Sequence, residues 1–265
     1  MKNIQAATPG EVVDLAVERV TKLLKAAKPA KKDHPYLQRK RVAPSPALRE
    51  LPAWDVARLI GYHPKAEERK RKGKARGRTQ AVEPEMVPLV GRILLAPVHL
   101  NGNINSVAMI DENGLKSCLA GGVVKDGAWY SKPLPKGNCE GVTFAIGEGV
   151  ATVLTVTDIM GWFGVAALSC WNLPAVAEYL QQKFPMARRV ILADIGNGEA
   201  DAWKAAMADQ QLLRTRGQGV NKPAAGGTSR HLKLGCRRLA APPTARLSRT
   251  AKIVTRGNGG IGGPR

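Results

Sequence analysis

The sequence predicts an α/β protein, and three observations carry that prediction. From Val142 onward, short apolar runs alternate with helical patterns at the spacing of parallel strands joined by crossover helices. Before that, Arg92 to Tyr130 reads as strands separated by turn signals. At 265 residues and 44% hydrophobic content, the chain has enough material for one large core or two small ones, which excludes fully disordered, collagen-like and disulfide-scaffold classes.

Taken in order, Thr8-Pro9-Gly10-Glu11 is a capping-box start with Pro at the first helical position. Val13, Val17, Val20 and Leu24 then recur at helical spacing to about Lys28, as a packing stripe or a simple N-terminal arm. Pro52 to Ile60 is a short helix. Lys65 to Arg78 holds eight Lys/Arg against Glu67 and Glu68 and cannot build a core, so it reads as an exposed linker or a disordered insertion, either a solvated charge run or one that tracks phosphates. Ile93–Leu100 and Ile104–Asp111 are strands around the hairpin signal Asn101-Gly102, and Asn113-Gly114 turns the chain into Leu115–Ala120 and then Ala128–Tyr130, an antiparallel meander.

In the alternating region, Val142–Ile146, Gly164–Leu168 and Val190–Ala193 are the strands. Gly149–Met160, a helix capped by Asn172 with Pro174 in its first turn, and Glu199 to about Leu213 are the helices. Val150–Leu168 imitates a membrane span, with Asp158 its single charge. Its three Thr and two Gly fit a buried helix followed by a strand, and no membrane partner is expected. The resulting organisation is an N-terminal helical region over 1–64, a basic linker over 65–85, an antiparallel β region over 86–140, an incomplete α/β core over 141–209 and a disordered Arg/Gly-rich tail over 210–265.

Charge is strong and uneven. Lys+Arg 41 against Asp+Glu 21 leaves +20, with an isoelectric point near 10.2, so the natural partner is acidic, most simply nucleic acid. Residues 210–265 carry nine Arg, three Lys and no acid, with ten Gly and four Pro and no aromatic residue. This abrupt change near Asp209 raises the expectation that the tail is a reading-frame accident or a truncation scar. Aromatic residues to stack bases are scarce in both basic segments, so stacking-based recognition is not expected. The four cysteines form no CxxC pair and the four histidines no zinc spacing with them, which suggests reduced thiols and a cytoplasmic setting. Met1–Ala30 lacks the apolar run of a signal peptide.

Ligands of open parallel sheets collect beyond the carboxyl ends of the strands. Two acids fall there: Glu148, flanked by Gly147 and Gly149, and Asp194. Carboxylates so placed suit Mg2+ shared with phosphates and water. They equally suit the N-termini of the helices that follow. The loop from Ile195 to Asp201 has the look of a phosphate cradle but matches neither the GxGxxG nor the GxxxxGK[ST] pattern, and Glu199 and Asp201 read as first-turn helix acids.

Ile146-Gly147-Glu148-Gly149-Val150-Ala151-Thr152, Trp171-Asn172-Leu173 and Val190-Ile191-Leu192-Ala193-Asp194 resemble the Toprim domain of mobile-element DNA primases. His34-Pro35-Tyr36-Leu37 and the hairpins from Leu94 to Tyr130 resemble the region preceding Toprim in phage- and plasmid-type primases. The resemblance spans Asp33 to Ala206. It implies a Toprim-like parallel sheet and Mg2+-dependent nucleotidyl transfer, making RNA primers on single-stranded DNA in mobile-element replication. Glu148 would be the acid/base and a metal ligand, and Asp194 the first acid of an Asp-x-Asp metal motif. Nucleotides, single-stranded DNA and a replicative helicase are the implied partners. The second acid of that motif is absent, since Gly196 stands two residues after Asp194. The N-terminal zinc module and C-terminal helicase of some members are not expected here, and the family's next strand is expected to be replaced by the tail. Two further readings use the same residues: a non-catalytic nucleic-acid-binding remnant, and a Toprim-type nuclease.

Overall fold

The computed structural model describes residues 8–68, 85–194, 211–215 and 252–254. The chain divides into two compact units, Met1–Leu134 and Pro135–Arg265. Among the described residues no helix is long and apolar enough to cross a membrane.

The first unit begins with α1, Pro9–Ala26. Both halves of the capping box form: the Thr8 N–H donates to Glu11 Oε2 at 2.7 Å, and the Glu11 N–H donates to Thr8 Oγ1 at 3.4 Å. The centre of the buried face is Ala16, Val20 and Leu23, with Val13, Val17 and Leu24 half-buried on its flanks. The stripe packs into a core with Leu51, Val56, Ile60, Ile93, Leu95, Val107 and Met109, so packing is the helix's role here.

Next come β1 (Lys28–Pro29), α2 (Pro35–Lys40), β2 (Arg49–Pro52) and α3 (Ala53–Ile60). His34 caps α2. Its Nδ1 accepts from the Tyr36 N–H at 3.3 Å, which leaves the proton on Nε2 to donate to the Arg92 carbonyl at 2.9 Å. Two short strands, β3 (Lys65–Glu68) and β4 (Glu85–Pro88), pair antiparallel, followed by β5 (Arg92–Leu100), β6 (Asn103–Ile110) and β7 (Lys116–Cys118). A five-stranded antiparallel sheet runs β1-β2-β5-β6-β7. Asn101 and Gly102 both take positive φ, 52° and 88°, the hairpin turn that the Asn-Gly pair predicts. At the next turn the fully buried Asp111 receives the Leu115 N–H at 2.8 Å and the Val90 N–H at 3.3 Å.

Three expectations need correction in this unit. The N-terminal region is not purely helical: β1 and β2 join the sheet because Leu48 and Leu51 are buried and β2 pairs with β5. The basic linker starts and ends as strand, since Ala66 and Leu89 are buried and the Leu89 N–H bonds the Pro64 carbonyl at 2.9 Å; residues 69–84 lie outside the described residues. Finally β8, Trp129–Tyr130, is not a strand of the five-stranded sheet, although Ala128 before it exchanges backbone bonds with His99 at 2.8 and 2.9 Å.

The second unit is strand–helix alternation: β9 (Thr143–Gly147), α4 (Val150–Met160), β10 (Phe163–Ala166), a 3₁₀ turn (Cys170–Asn172), α5 (Leu173–Lys183) and β11 (Arg188–Asp194). The apolar stretch that imitates a membrane span is therefore a helix followed by a strand. Its threonines are accommodated by bonding back one turn, Thr155 Oγ1 to the Ala151 carbonyl and Thr157 Oγ1 to the Val153 carbonyl, each at 2.9 Å. The chain's three phenylalanines meet in this core. Phe144 stacks on Phe184 at 5.3 Å between centroids and meets Phe163 edge-on at 5.0 Å.

Strand order is β10-β9-β11-β12, with β12 at Gln211–Thr215; these four are parallel, and β13 (Lys252–Val254) adds antiparallel to β12, so the sheet is mixed. Two expectations fail at this edge. The helix expected to reach Leu213 does not, because Gln211–Leu213 is strand, and a further parallel strand is present where only disordered tail was expected. The edge of β11 offers a row of backbone donors and acceptors, and pairing to it outweighs the Gly/Arg-rich composition of the surroundings. Residues 195–210, 216–251 and 255–265, including the remaining expectations of helix and disordered tail, lie outside the described residues.

Candidate active site

The strand connections of the second unit leave in opposite directions at one place. From β9 the chain crosses to β10 on one side, whereas from β11 it continues to β12 on the other. In open α/β sheets the crevice beyond the carboxyl ends of two such strands is the position where ligands bind. Glu148 follows the last residue of β9, and Asp194 is the last residue of β11. Register puts Gly147 opposite Leu192, so β11 runs two residues past the end of β9 and Asp194 lies one residue further along than Glu148, on a strand about 4.8 Å away. The two acids singled out from sequence are therefore brought to adjacent strand ends.

Gly147 makes this closeness feasible. A Cβ there would lie 3.1 Å from Val153 Cγ1 and 3.2 Å from Leu192 Cβ, tighter than ordinary contact. Glu148 is half-buried, and its carbonyl accepts the Leu168 N–H at 2.9 Å, while the Gly147 carbonyl accepts the Ala167 N–H at 2.8 Å. These bonds extend the pairing of β9 and β10 past the strand ends and hold the Glu148 backbone in place. α4 starts at once, with Gly149 as N-cap and no side-chain cap, so the first backbone N–H groups of α4 lie next to Glu148. Glu148 is thus placed for either sequence alternative, metal ligand or helix N-terminal acid.

The loop after β10 is only partly legible in the sequence. Leu168 takes φ +66°, a left-handed conformation uncommon for a non-glycine residue, and begins a turn in which Ser169 Oγ accepts the Trp171 N–H at 3.2 Å. Trp171 is 77% exposed. Asn172 precedes α5 as expected but makes no capping bond with its side chain. Its buried amide donates instead to the Ala167 carbonyl at 3.0 Å, tying the loop to the end of β10. The Trp171-Asn172 pair was noticeable in the sequence; the strained Leu168 carried no local signal.

Among the described residues no group of three or more His, Cys, Asp or Glu side chains is placed to hold a metal ion. A Mg2+ site completed by phosphate oxygens and water needs only one or two protein carboxylates. The Ile195–Asp201 loop, with Gly196, Glu199 and Asp201, lies outside the described residues.

No family model matches the chain. Among solved structures, the chain is similar to a chain of the bacteriophage T7 lagging-strand DNA polymerase assembly, described as interacting with primase domains of two gp4 subunits bound to an RNA/DNA hybrid and dTTP. Identity is 14%, covering 48% of this chain and 67% of that one, with a TM-score of 0.36. A likeness at that level does not establish a shared fold.

Proposed function

We propose that the protein is a Toprim-type, primase-like nucleotidyltransferase that joins ribonucleotides on a single-stranded DNA template with Mg2+, in the replication of a mobile element. The observation that carries this reading is the placement of Glu148 and Asp194 at the adjacent carboxyl ends of β9 and β11, where the strand connections diverge. Glu148 would hold or move the proton of the attacking hydroxyl, and Glu148 with Asp194 would hold the metal. When bound, Mg2+ would supply charge neutralisation for the nucleotide phosphates. The N-terminus of α4 suits the same anionic group. A replicative helicase is the macromolecular partner this role calls for.

The test is Mg2+-dependent incorporation of labelled ribonucleotides on single-stranded DNA, wild type beside Glu148→Gln. The expected loss is about 100-fold or more, the usual scale for removing a general acid/base. An unchanged rate refutes the role of Glu148. Nicking of plasmid DNA by the same preparation, lost in the same variant, would instead assign a nuclease.

The charge of +20 favours a second reading, a non-catalytic nucleic-acid-binding protein. It requires affinity that falls steeply with salt and is indifferent to Mg2+. Replacing the seven Lys/Arg between Arg69 and Arg78 with Ser should then flatten the dependence of log affinity on log salt, by about 0.7 for each phosphate no longer neutralised.

A further inference from the structure

On the first unit, Trp54 of α3 is 63% exposed. Single exposed apolar residues are ordinary, and what distinguishes this one is its company. Arg58, one turn along the helix, sits with its guanidinium 5.6 Å from the Trp54 ring centroid, held there by Asp55 at 2.8 Å. Tyr62 is fixed from behind, its hydroxyl accepting the Ala120 N–H at 2.8 Å, and Arg19 of α1 lies 5.9 Å from its ring. Trp54, Ala57, Arg58, Gly61, Tyr62 and His63 line an open recess of about 410 Å³.

The chemistry of that lining selects its occupant. Three of the six lining residues carry aromatic rings and a fourth a planar guanidinium, while Gly61 offers only backbone and the single aliphatic contribution is the methyl of Ala57. A groove for an amphipathic helix would present Leu, Ile or Met instead. Flat π-faces beside cations suit nucleobases joined by phosphates. The chain leaves the recess through Pro64 into the exposed Lys65 and the run with seven further Lys/Arg to Arg78. We propose that this recess is a stacking platform for single-stranded nucleic acid, with Trp54 receiving a base and Arg58 a phosphate. The inference rests on nucleic acid being the protein's partner, and it places recognition on the first unit. It also revises the expectation that stacking plays no part. Trp54 and Tyr62 lie outside the basic run in sequence, yet they line one recess whose wall includes His63, two residues before Lys65.

Anisotropy of a labelled oligothymidylate, titrated with the full chain across a salt series, tests the platform. Trp54→Ala should weaken binding about 5- to 100-fold while the salt slope stays that of the wild type, because no charge is removed. Trp54→Phe should recover most of the affinity. Arg58→Ala should lower both affinity and slope, the slope by up to about 0.7. If the wild type binds and Trp54→Ala binds equally well, or Trp54→Phe is as weak as Trp54→Ala, the platform is wrong while nucleic-acid binding stands. If the wild type fails to bind at low salt, both fall, and the exposed indole is left to a protein partner. Trp54 is largely exposed, so its variants should unfold at the wild-type urea midpoint, and a lowered midpoint would overturn its assignment as a surface residue.

Discussion

Gly147 and Leu192 stand opposite each other in parallel register, and a Cβ on Gly147 would lie 3.2 Å from that of Leu192. The pair stands at the end of β9, one residue before Glu148 and two before Asp194. Neither neighbour of that Cβ has room to yield: Leu192 is in a central strand, and Val153 is buried in the first turns of α4.

Gly147→Ala is accordingly expected to destabilise the protein by about 1–3 kcal/mol, the usual cost of overpacking a tight site. Equilibrium urea unfolding monitored by circular dichroism measures it. A midpoint equal to the wild type would mean that the strand ends can spread. Any Mg2+-dependent activity should fall further than the lost stability explains, since the same displacement moves Glu148.

Leu168 supplies a second test, because its positive φ is a local cost sustained by its bond to the Glu148 carbonyl. A β-branched side chain fits that conformation worse and Asn fits it better. Leu168→Val should therefore lower stability by about 1–2 kcal/mol, with Leu168→Asn less damaging despite its polarity. Thermal unfolding of the two variants side by side decides the order, and the reverse order would remove backbone strain from the account of this loop.

Arg92 gathers three carboxylates of the first unit. Its guanidinium bonds Asp33 at 2.9 Å and Glu112 at 3.1 Å and approaches Glu50 at 3.6 Å. The hydrogen bond from Arg92 lowers the Asp33 carboxyl below its ordinary value, with desolvation opposing it. A carboxyl depressed in the folded state contributes stability above its unfolded value, and that contribution disappears as pH falls through the folded one. Arg92→Ala should thus lower the urea midpoint at neutral pH, with the gap to the wild type narrowing below about pH 4. A gap that stays constant into acid would show that Arg92 acts through packing alone.

The sequence by itself determined the local elements. The capping box at Thr8, the Asn101-Gly102 hairpin and the alternation from β9 to β11 each follow from contacts within a few residues of chain, where residue type controls backbone conformation directly. It also marked Glu148 and Asp194, because the carboxyl end of a strand can be read from the pattern around it. Tertiary structure decided what depends on partners far along the chain. Gln211–Thr215 becomes a strand because the edge of β11 is there to pair with, and Lys65–Glu68 because β4 is. Trp54, Arg58 and Tyr62 form one lined recess because α3 sets Trp54 and Arg58 one turn apart and the chain past its cap at Gly61 brings Tyr62 beside them. Strand pairing and side-chain assembly draw their free energy from groups that local sequence does not contain, and only the folded chain brings those groups within reach.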